Sequence, residues 1–310
     1  MKCEVKKSQL HRCYELKTIG ERRQRLGGVV IDFIFMDDEL MSKKVYLSLK
    51  PDADEVDAGE IFLSCVFDGN LEKCFLDTGA NRTSVSENDF FKKYPSVADK
   101  KLQGAFGKPE NCHEIVLEHQ ILGDVIERKN ISLLRSPSHM GRASTIGLDT
   151  FAGNTLCFNF DEYSLSKSEI ENSFHQGSIR DRTGLFVLNI FSNDIKTAGV
   201  WDTGAGLTSV DTSFISKHPT LFEELKSVEV GNIVGGFAQL KIYSLKALTI
   251  GEVHFSNLRV IAFDFEPLRS HFGEGVSFII GYNVITQANW KIDFASGRWN
   301  VSKLNSSPKT

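Results

Sequence analysis

Asp77-Thr78-Gly79-Ala80-Asn81-Arg82-Thr83-Ser84-Val85 and Asp202-Thr203-Gly204-Ala205-Gly206-Leu207-Thr208-Ser209-Val210 agree at seven of nine positions. Agreement of this density at two separated places marks an internal duplication, and the rest of the chain can be read outward from the two blocks. Before each block lies a strand-turn-strand pattern. In the first copy IFLSCVF and LEKCFL flank Asp68-Gly69-Asn70, and in the second LFVLNIF and IKTAGVW flank Ser192-Asn193-Asp194. Turn residues between β-rich runs predict a hairpin in each copy. The strand that enters each Asp is apolar at nearly every residue (Cys74-Phe75-Leu76 and Ala198-Gly199-Val200-Trp201), which predicts burial on both faces.

After each block comes a glycine-containing stretch between short strands, and then an apolar pair followed by glycine. These are Thr145-Ile146-Gly147 and Ile279-Ile280-Gly281. Each copy closes with a hairpin, TLCFNF with YSLS and WKIDF with RWNVS. The implied organisation is an N-terminal segment 1–55, a first lobe 56–165, a polar linker 166–184, a second lobe 185–304 and a tail 305–310. The N-terminal segment is uneven in charge: residues 1–25 hold eight Lys/Arg against three Glu, and residues 26–60 hold nine acidic residues against three Lys. Within it VVIDFIF and VYLSLK read as strands additional to the repeat. The segment is either an accessory region or an inhibitory one lying over an acidic cleft.

The chain has 310 residues, 41% hydrophobic and 25% charged, a balance ordinary for a globular protein. A net charge of −4 gives no reason to expect nucleic acid or an anionic membrane as partner. No apolar run approaches the roughly 18 residues that span a bilayer, and the basic start is not followed by the apolar core of a secretory signal. The six cysteines (Cys3, Cys13, Cys65, Cys74, Cys112, Cys157) form no C-x-x-C pair. Neither a disulfide framework nor a zinc site is expected. The expected setting is cytoplasmic, with reduced thiols acting as small apolar side chains. Cys65 and Cys74 sit opposite each other if Gly69-Asn70 is the hairpin loop, whereas Cys65 faces Glu72 if the loop is Asp68-Gly69.

Both copies resemble the retropepsin family, the retroviral type of aspartic protease. The second is the closer. Its Gly231-Asn-Ile233-Val-Gly235-Gly236-Phe237 is similar to the glycine-rich flap of those enzymes, and its Ile279 to Gln287 stretch is similar to the segment that follows the flap. In the first copy the block is intact, but the flap candidate Gly104-Ala105-Phe106-Gly107 runs into Pro109, which removes a ladder donor and should shorten or bend that hairpin. The resemblance implies an all-β acid-protease fold, with two lobes related by a pseudo-twofold axis and a cleft between them. It implies Asp77 and Asp202 as the catalytic pair. Thr78 and Thr203 should hydrogen-bond across the junction. Gly79 and Gly204, followed by Ala80 and Ala205, should form the loops that substrate approaches. Gly147 and Gly281 should pack beneath those loops. Gly104 and Phe106, with Gly235, Gly236 and Phe237, belong to the flaps. Asn81, Arg82 and Leu207 should flank the substrate.

The chemistry is consistent with that reading. Peptide hydrolysis without a metal, a cofactor or a covalent nucleophile needs one group to accept a proton from water and another to donate one to the carbonyl oxygen. Two carboxyls held close do both, because like charges resist joint ionisation and the pair keeps one proton. The partner is then a peptide or protein. One chain can form the pair alone, as a monomer; pairing of each lobe with a lobe of a second chain, in a homodimer, is the alternative. The rival from another class is a non-catalytic peptide-binding or dimerisation module of the same fold. Residues 231–236 lack the lysine and the following helix of a phosphate loop. Cys112-His113 are neighbours on one strand and point to opposite faces, which disfavours a Cys-His site.

Overall fold

In the computed structural model the described residues are 22–26, 29–33, 43–104, 109–137, 143–169, 174–180, 183–231 and 237–305. The chain divides into two units, Met1–Ser42 and Lys43–Thr310. In the first, Arg22–Leu26 pairs antiparallel with Val29–Phe33. Everything that follows concerns the second.

The hairpin before the first Asp forms from Gly59–Phe67 and Asn70–Leu76. Phe67 pairs with Asn70 and Cys65 with Glu72, so the loop is Asp68-Gly69. Both loop residues have positive φ (45° and 82°), the backbone that the tightest hairpin turn requires and that Asp-Gly supplies at least cost. The Asp68 carboxylate then fixes the register from a distance. It accepts from Tyr94 Oη at 2.8 Å and from the backbone N–H of His119 at 2.6 Å. Cys65 and Cys74 therefore lie diagonally on one buried face, both as free thiols. The hydrogen-bonding contact between the Cys74 thiol and Cys65, and then burial, push that thiol well up, away from thiolate chemistry. In the second copy Phe186–Ser192 and Ile195–Trp201 form the matching hairpin around Asn193-Asp194.

The two copies share one strand order. In lobe 1 the strand entering Asp77 pairs in parallel with Thr145–Ile146, which pairs antiparallel with Ser84–Ser86, which pairs in parallel with Ile126–Ser136. In lobe 2 the strand entering Asp202 pairs in parallel with Val276–Ile280, then Ser209–Asp211, then Val253–Phe263, with the same directions. A long hairpin completes each lobe. Ala98–Leu102 pairs with Glu110–Leu122 in lobe 1, and Phe222–Gly231 with Phe237–Ile250 in lobe 2. The lobe 1 hairpin is the shorter. Its pairing stops at Leu102 and Glu110, beside Pro109, as expected for a residue without an N–H to donate.

The lobes join through their closing hairpins. Thr155–Asn159 pairs antiparallel with Ala288–Asp293, so one sheet runs through both. Lys44–Pro51 extends this sheet through Ser164–Lys167 and then continues as partner of Gly59–Phe67. His175–Gln176 and Ser178–Ile179 do the same for lobe 2, pairing first with Arg298–Lys303 and then with Phe186–Ser192. The strand at 44–51 thus has a counterpart in the second copy and is part of the repeat. Aromatic side chains fill the junction: Phe158 packs edge-on to Trp201 at 4.8 Å, and Phe151 stacks on Phe294 at 5.8 Å. Burial of this aromatic area gives one continuous core and holds the two lobes in fixed relation. No helix among the described residues is long and apolar enough to cross a membrane.

Candidate active site

Each Asp-Thr-Gly sits at the end of a buried strand, and the two loops meet. Thr78 N donates to Thr203 Oγ1 and Thr203 N donates to Thr78 Oγ1, both at 3.0 Å. Each hydroxyl in turn donates across the junction to the residue before the opposite Asp: Thr78 Oγ1 to the carbonyl of Trp201 and Thr203 Oγ1 to that of Leu76, again at 3.0 Å. Both threonines are fully buried, so these four bonds leave no hydroxyl or loop N–H unsatisfied. The network is symmetric, as the duplicated sequence requires.

The carboxyls face each other within hydrogen-bonding reach. Each also presses on the glycine of the opposite loop. A Cβ on Gly79 would collide with the Asp202 carboxyl, and one on Gly204 with that of Asp77. Asp77 Oδ1 accepts from the N–H of Gly79 at 2.9 Å and of Ala80 at 3.0 Å, and Asp202 Oδ1 accepts from Gly204 N–H at 2.8 Å. Burial pushes both carboxyls up from the ordinary range. For Asp202 the charge of Asp77 adds to it, and the group reaches about 8. The backbone N–H bonds act in the opposite sense and do not cancel the shift. Such a pair holds one proton between its members over a wide pH range and titrates as a unit.

Beneath the loops, Gly147 N donates to Thr83 Oγ1 and Gly281 N to Thr208 Oγ1, each at 3.1 Å. Leu148 N and Tyr282 N bond the carbonyls of Ala80 and Ala205. A side chain at either glycine would overlap loop backbone: Arg82 C at 2.5 Å for Gly147, Ala205 O at 2.6 Å for Gly281. Four supporting residues were assigned no role from sequence. The Asp149 carboxylate accepts from Thr83 N at 2.7 Å, and Asn283 Oδ1 accepts from Thr208 N at 2.9 Å. The signal for them was present: Gly-x-Asp at 147–149 matches Gly-x-Asn at 281–283, and both copies carry Thr six residues after the Asp.

The flanking residues differ between lobes. Asn81 is exposed. Arg82 is not a free cation: its Nη2 donates to Glu114 Oε1 at 3.1 Å and to Ser132 Oγ at 2.9 Å. Leu207 is buried against Ile242 and Ile261. Gly104 lies two residues beyond the strand Ala98–Leu102, with its carbonyl accepting from Gln103 Nε2. Phe106, Gly235 and Gly236 lie outside the described residues, and Phe237 is described only as the first residue of its strand. On the lobe 2 side the segment 52–59 crosses from lobe 1. Gly59 N donates to the carbonyl of Gly206, and Glu55 pairs with Arg259 and, at 2.7 Å, with Lys226. Among the described residues, no group of three His, Cys, Asp or Glu side chains is placed to hold a metal ion.

No protein-family model and no curated protein matches the chain. Solved structures do. The crystal structure of aspartic proteinase from Irpex lacteus superposes with a TM-score of 0.52 at 15% identity, covering 85% of this chain and 99% of that one. At that identity the likeness speaks for architecture: the chain has the all-β acid-protease fold, two pseudo-twofold-related lobes with a cleft between them.

Proposed function

We propose that the chain is an aspartic endopeptidase of the retropepsin-like type, with both catalytic carboxyls supplied by one polypeptide. The observation that carries this reading is the meeting of Asp77 and Asp202 across the threonine network, with their carboxyls in mutual hydrogen-bonding reach. A water held between them loses its proton to the ionised member and attacks the peptide carbonyl, while the protonated member donates to the carbonyl oxygen. The tetrahedral intermediate then breaks down as a proton passes to the leaving amine. No covalent enzyme intermediate forms, and no cofactor takes part. The backbone N–H groups of Gly79, Ala80 and Gly204 hold the carboxyl oxygens in position throughout. The test is cleavage of a mixed peptide library by the wild type and by Asp202→Asn, with products read by mass spectrometry. Cleavage by the wild type alone supports the assignment; equal cleavage by both, or none by the wild type between pH 3 and 8, rejects it.

The environment of the pair also sets its pH range. Ala80 and Ala205 follow the two glycines, so no side-chain hydroxyl at those places stabilises an ionised carboxyl. Both carboxyls lie above their ordinary range. The singly protonated form therefore persists to near-neutral pH, and the optimum is expected at mildly acidic to neutral pH, matching a cytoplasmic setting. Ser at both positions adds donors that favour the charged form and lowers the pair's apparent values. The kcat/KM profile of Ala80→Ser/Ala205→Ser should move to lower pH by about one unit, at roughly one added hydrogen bond per carboxylate. A wild-type optimum at or below about pH 3, under the free Asp value near 3.9, contradicts the reading, as does a mutant profile that stays in place.

A further inference from the structure

We propose that Glu55 is a positioning residue for Asp202: through it, the loop 52–58 straps the second catalytic loop from outside its own lobe. The proposal rests on the peptidase reading of the pair and adds to it a residue that lies in neither nine-residue block. Glu55 ends the N-terminal segment expected from sequence, and the strap makes that end part of the catalytic unit.

The loop is built to hold one carboxylate in place. It joins Pro51 to Gly59, which pair across the strands Lys44–Pro51 and Gly59–Phe67. Asp52 N donates to the Ala58 carbonyl at 2.9 Å, and Asp52 Oδ1 accepts from the N–H of Asp54 at 2.9 Å and of Glu55 at 2.8 Å. Ala58 N donates to the Glu55 carbonyl at 3.2 Å. The turn is thus closed by its own backbone and one side chain, and the Glu55 side chain is left to reach lobe 2. There Oε1 accepts from Arg259 Nε at 3.1 Å and also from Nη2, while Oε2 lies 2.7 Å from Lys226 Nζ. Only 16% of the Glu55 side chain is exposed. Burial works against its charge, but the bonds with Lys226 and Arg259 outweigh it and hold the carboxyl below its ordinary range.

Arg259 passes this hold to the loop that carries Asp202. Its carbonyl accepts from Asn283 Nδ2 at 2.9 Å, and Asn283 Oδ1 accepts from Thr208 N at 2.9 Å. Two residues along the same strand, Ile261 N donates to the Thr208 carbonyl, again at 2.9 Å. The end of the strap takes hold directly: Gly59 N donates to the Gly206 carbonyl at 3.1 Å, and Ala58 packs against the cluster of Leu207, Ile242 and Ile261. Residues 206, 207 and 208 are therefore all tied to the strap, directly or through Arg259. They follow Asp202 by four to six residues, and Gly204, whose N–H bonds the Asp202 carboxyl, lies between.

Among the described residues, lobe 1 receives no such strap. The matching turn, 180–185, joins Ile179 to Phe186, which pair as Pro51 and Gly59 do. Its described residues close on lobe 2 itself: Arg180 N donates to the Leu185 carbonyl at 3.0 Å, and Thr183 Oγ1 to that of His271 at 3.4 Å. The matching carboxylate of lobe 1 comes from inside. Leu134 pairs with Ser84 as Ile261 pairs with Ser209, so Ser132 stands where Arg259 stands. Ser132 Oγ donates to Glu114, on lobe 1's own long hairpin. One lobe thus holds its catalytic loop with its own side chains, and the other borrows Glu55. Losing Glu55 leaves Arg259 and Lys226 as unpaired like charges and loosens one aspartate's loop while the other keeps its support.

The test compares Glu55→Ala with the wild type in two ways. In peptide cleavage kcat should fall by roughly ten- to a hundredfold, the scale of a reacting group displaced by up to about 1 Å, with KM changed by less than about threefold. Glu55→Asp, which keeps the charge, should recover most of the loss. Asp54→Asn, on the same loop with an exposed side chain, should behave as wild type. Amide hydrogen exchange, read without substrate, should quicken by about tenfold or more at residues 204–208 and stay unchanged at 79–83. Should Glu55→Ala not fold, Glu55→Gln, a neutral acceptor of the same shape, gives the same readings at smaller size. An unchanged kcat, a loss confined to KM, a loss that Glu55→Asp does not lessen, or exchange that quickens equally in both loops overturns the proposal. A wild type that cleaves nothing rejects the peptidase reading instead, and exchange alone then decides whether the strap holds the Asp202 loop.

Discussion

Asp202→Asn should abolish cleavage and, at the same time, raise the melting temperature at neutral pH. The loss is expected to be at least about a thousandfold, because one of the two proton-transferring groups disappears. The gain in stability follows from the direction of the pKa shift. Asp202 is pushed up to about 8 in the fold, by burial and then by Asp77, against about 3.9 in the unfolded chain. Between those values the folded state binds more protons than the unfolded one, so the wild type loses stability as pH rises through the window. Asn has nearly the same shape and never ionises. It removes a cost on the order of 2–4 kcal/mol at pH 7 and almost none at pH 3, where both states are protonated. Calorimetric melting from pH 3 to pH 8 checks this. The variant's advantage should open with rising pH, reaching about 4 °C or more at pH 7. Equal melting temperatures across the range, or a variant less stable at pH 7, would show that the carboxyl is not under the burial and repulsion described.

The second large effect is steric. Gly281→Ala should destabilise the fold by about 3 kcal/mol or more and reduce activity with it. The Cβ would lie 2.6 Å from the Ala205 carbonyl oxygen, 2.7 Å from Leu207 C and 2.8 Å from Thr208 N. All three are backbone atoms of the loop that carries Asp202, so the overlap can be relieved only by moving that loop. The glycine's own φ of −107° is open to any residue, which makes the effect one of space and not of backbone strain. Gly206→Ala is the control. It lies on the same loop, but its nearest neighbour, the Gly59 carbonyl oxygen, is 3.3 Å away, and it should cost under about 1 kcal/mol. Urea unfolding of the three chains separates the cases; equal midpoints for wild type and Gly281→Ala would contradict the packing described.

The elements legible from sequence were those whose reasons are local or doubled. The two nine-residue blocks, the hairpins before them and the apolar-apolar-Gly after them each appear twice, and duplication turns weak signals into a frame. The shortened lobe 1 hairpin was legible because one residue, Pro109, carries the cause. What escaped depends on contacts distant in the chain. The register of the first hairpin was ambiguous by one residue until Asp68 met Tyr94 and the backbone of His119. Lys44–Pro51 read as an addition to the repeat because its counterpart is broken into two strands of two residues, His175–Gln176 and Ser178–Ile179, too short to carry a period. Arg82 was expected to flank the substrate, with no partner foreseen for its charge. Its partner, Glu114, lies 32 residues away on a strand whose register could not be foreseen.

The supporting shell shows the same division. Gly147 and Gly281 could be assigned from their place in the repeat. Asp149 and Asn283 stand at matched places two residues later, but their partners were not legible, because their acceptors face loop N–H groups that only the folded chain brings within reach. Asp in one copy and Asn in the other do the same work there, since one oxygen suffices to accept from the threonine N–H. Beyond that shared bond the two differ: Asp149 also accepts from Thr83 Oγ1 and Arg128, whereas Asn283 Nδ2 donates to the Arg259 carbonyl.

Under the proposed function, one polypeptide makes one working pair from its own two aspartates. Complementation tests it most directly. Asp77→Asn and Asp202→Asn are purified separately, then unfolded and refolded together at equal concentration, beside wild type treated in the same way. Peptide cleavage is followed over a range of protein concentration. The wild type should recover activity with kcat/KM independent of concentration, and each variant and their mixture should stay silent, because every chain then closes on itself with one carboxyl missing. Activity in the mixture, reaching a sizeable fraction of the wild-type level, would mean that lobes pair between chains and would contradict the account.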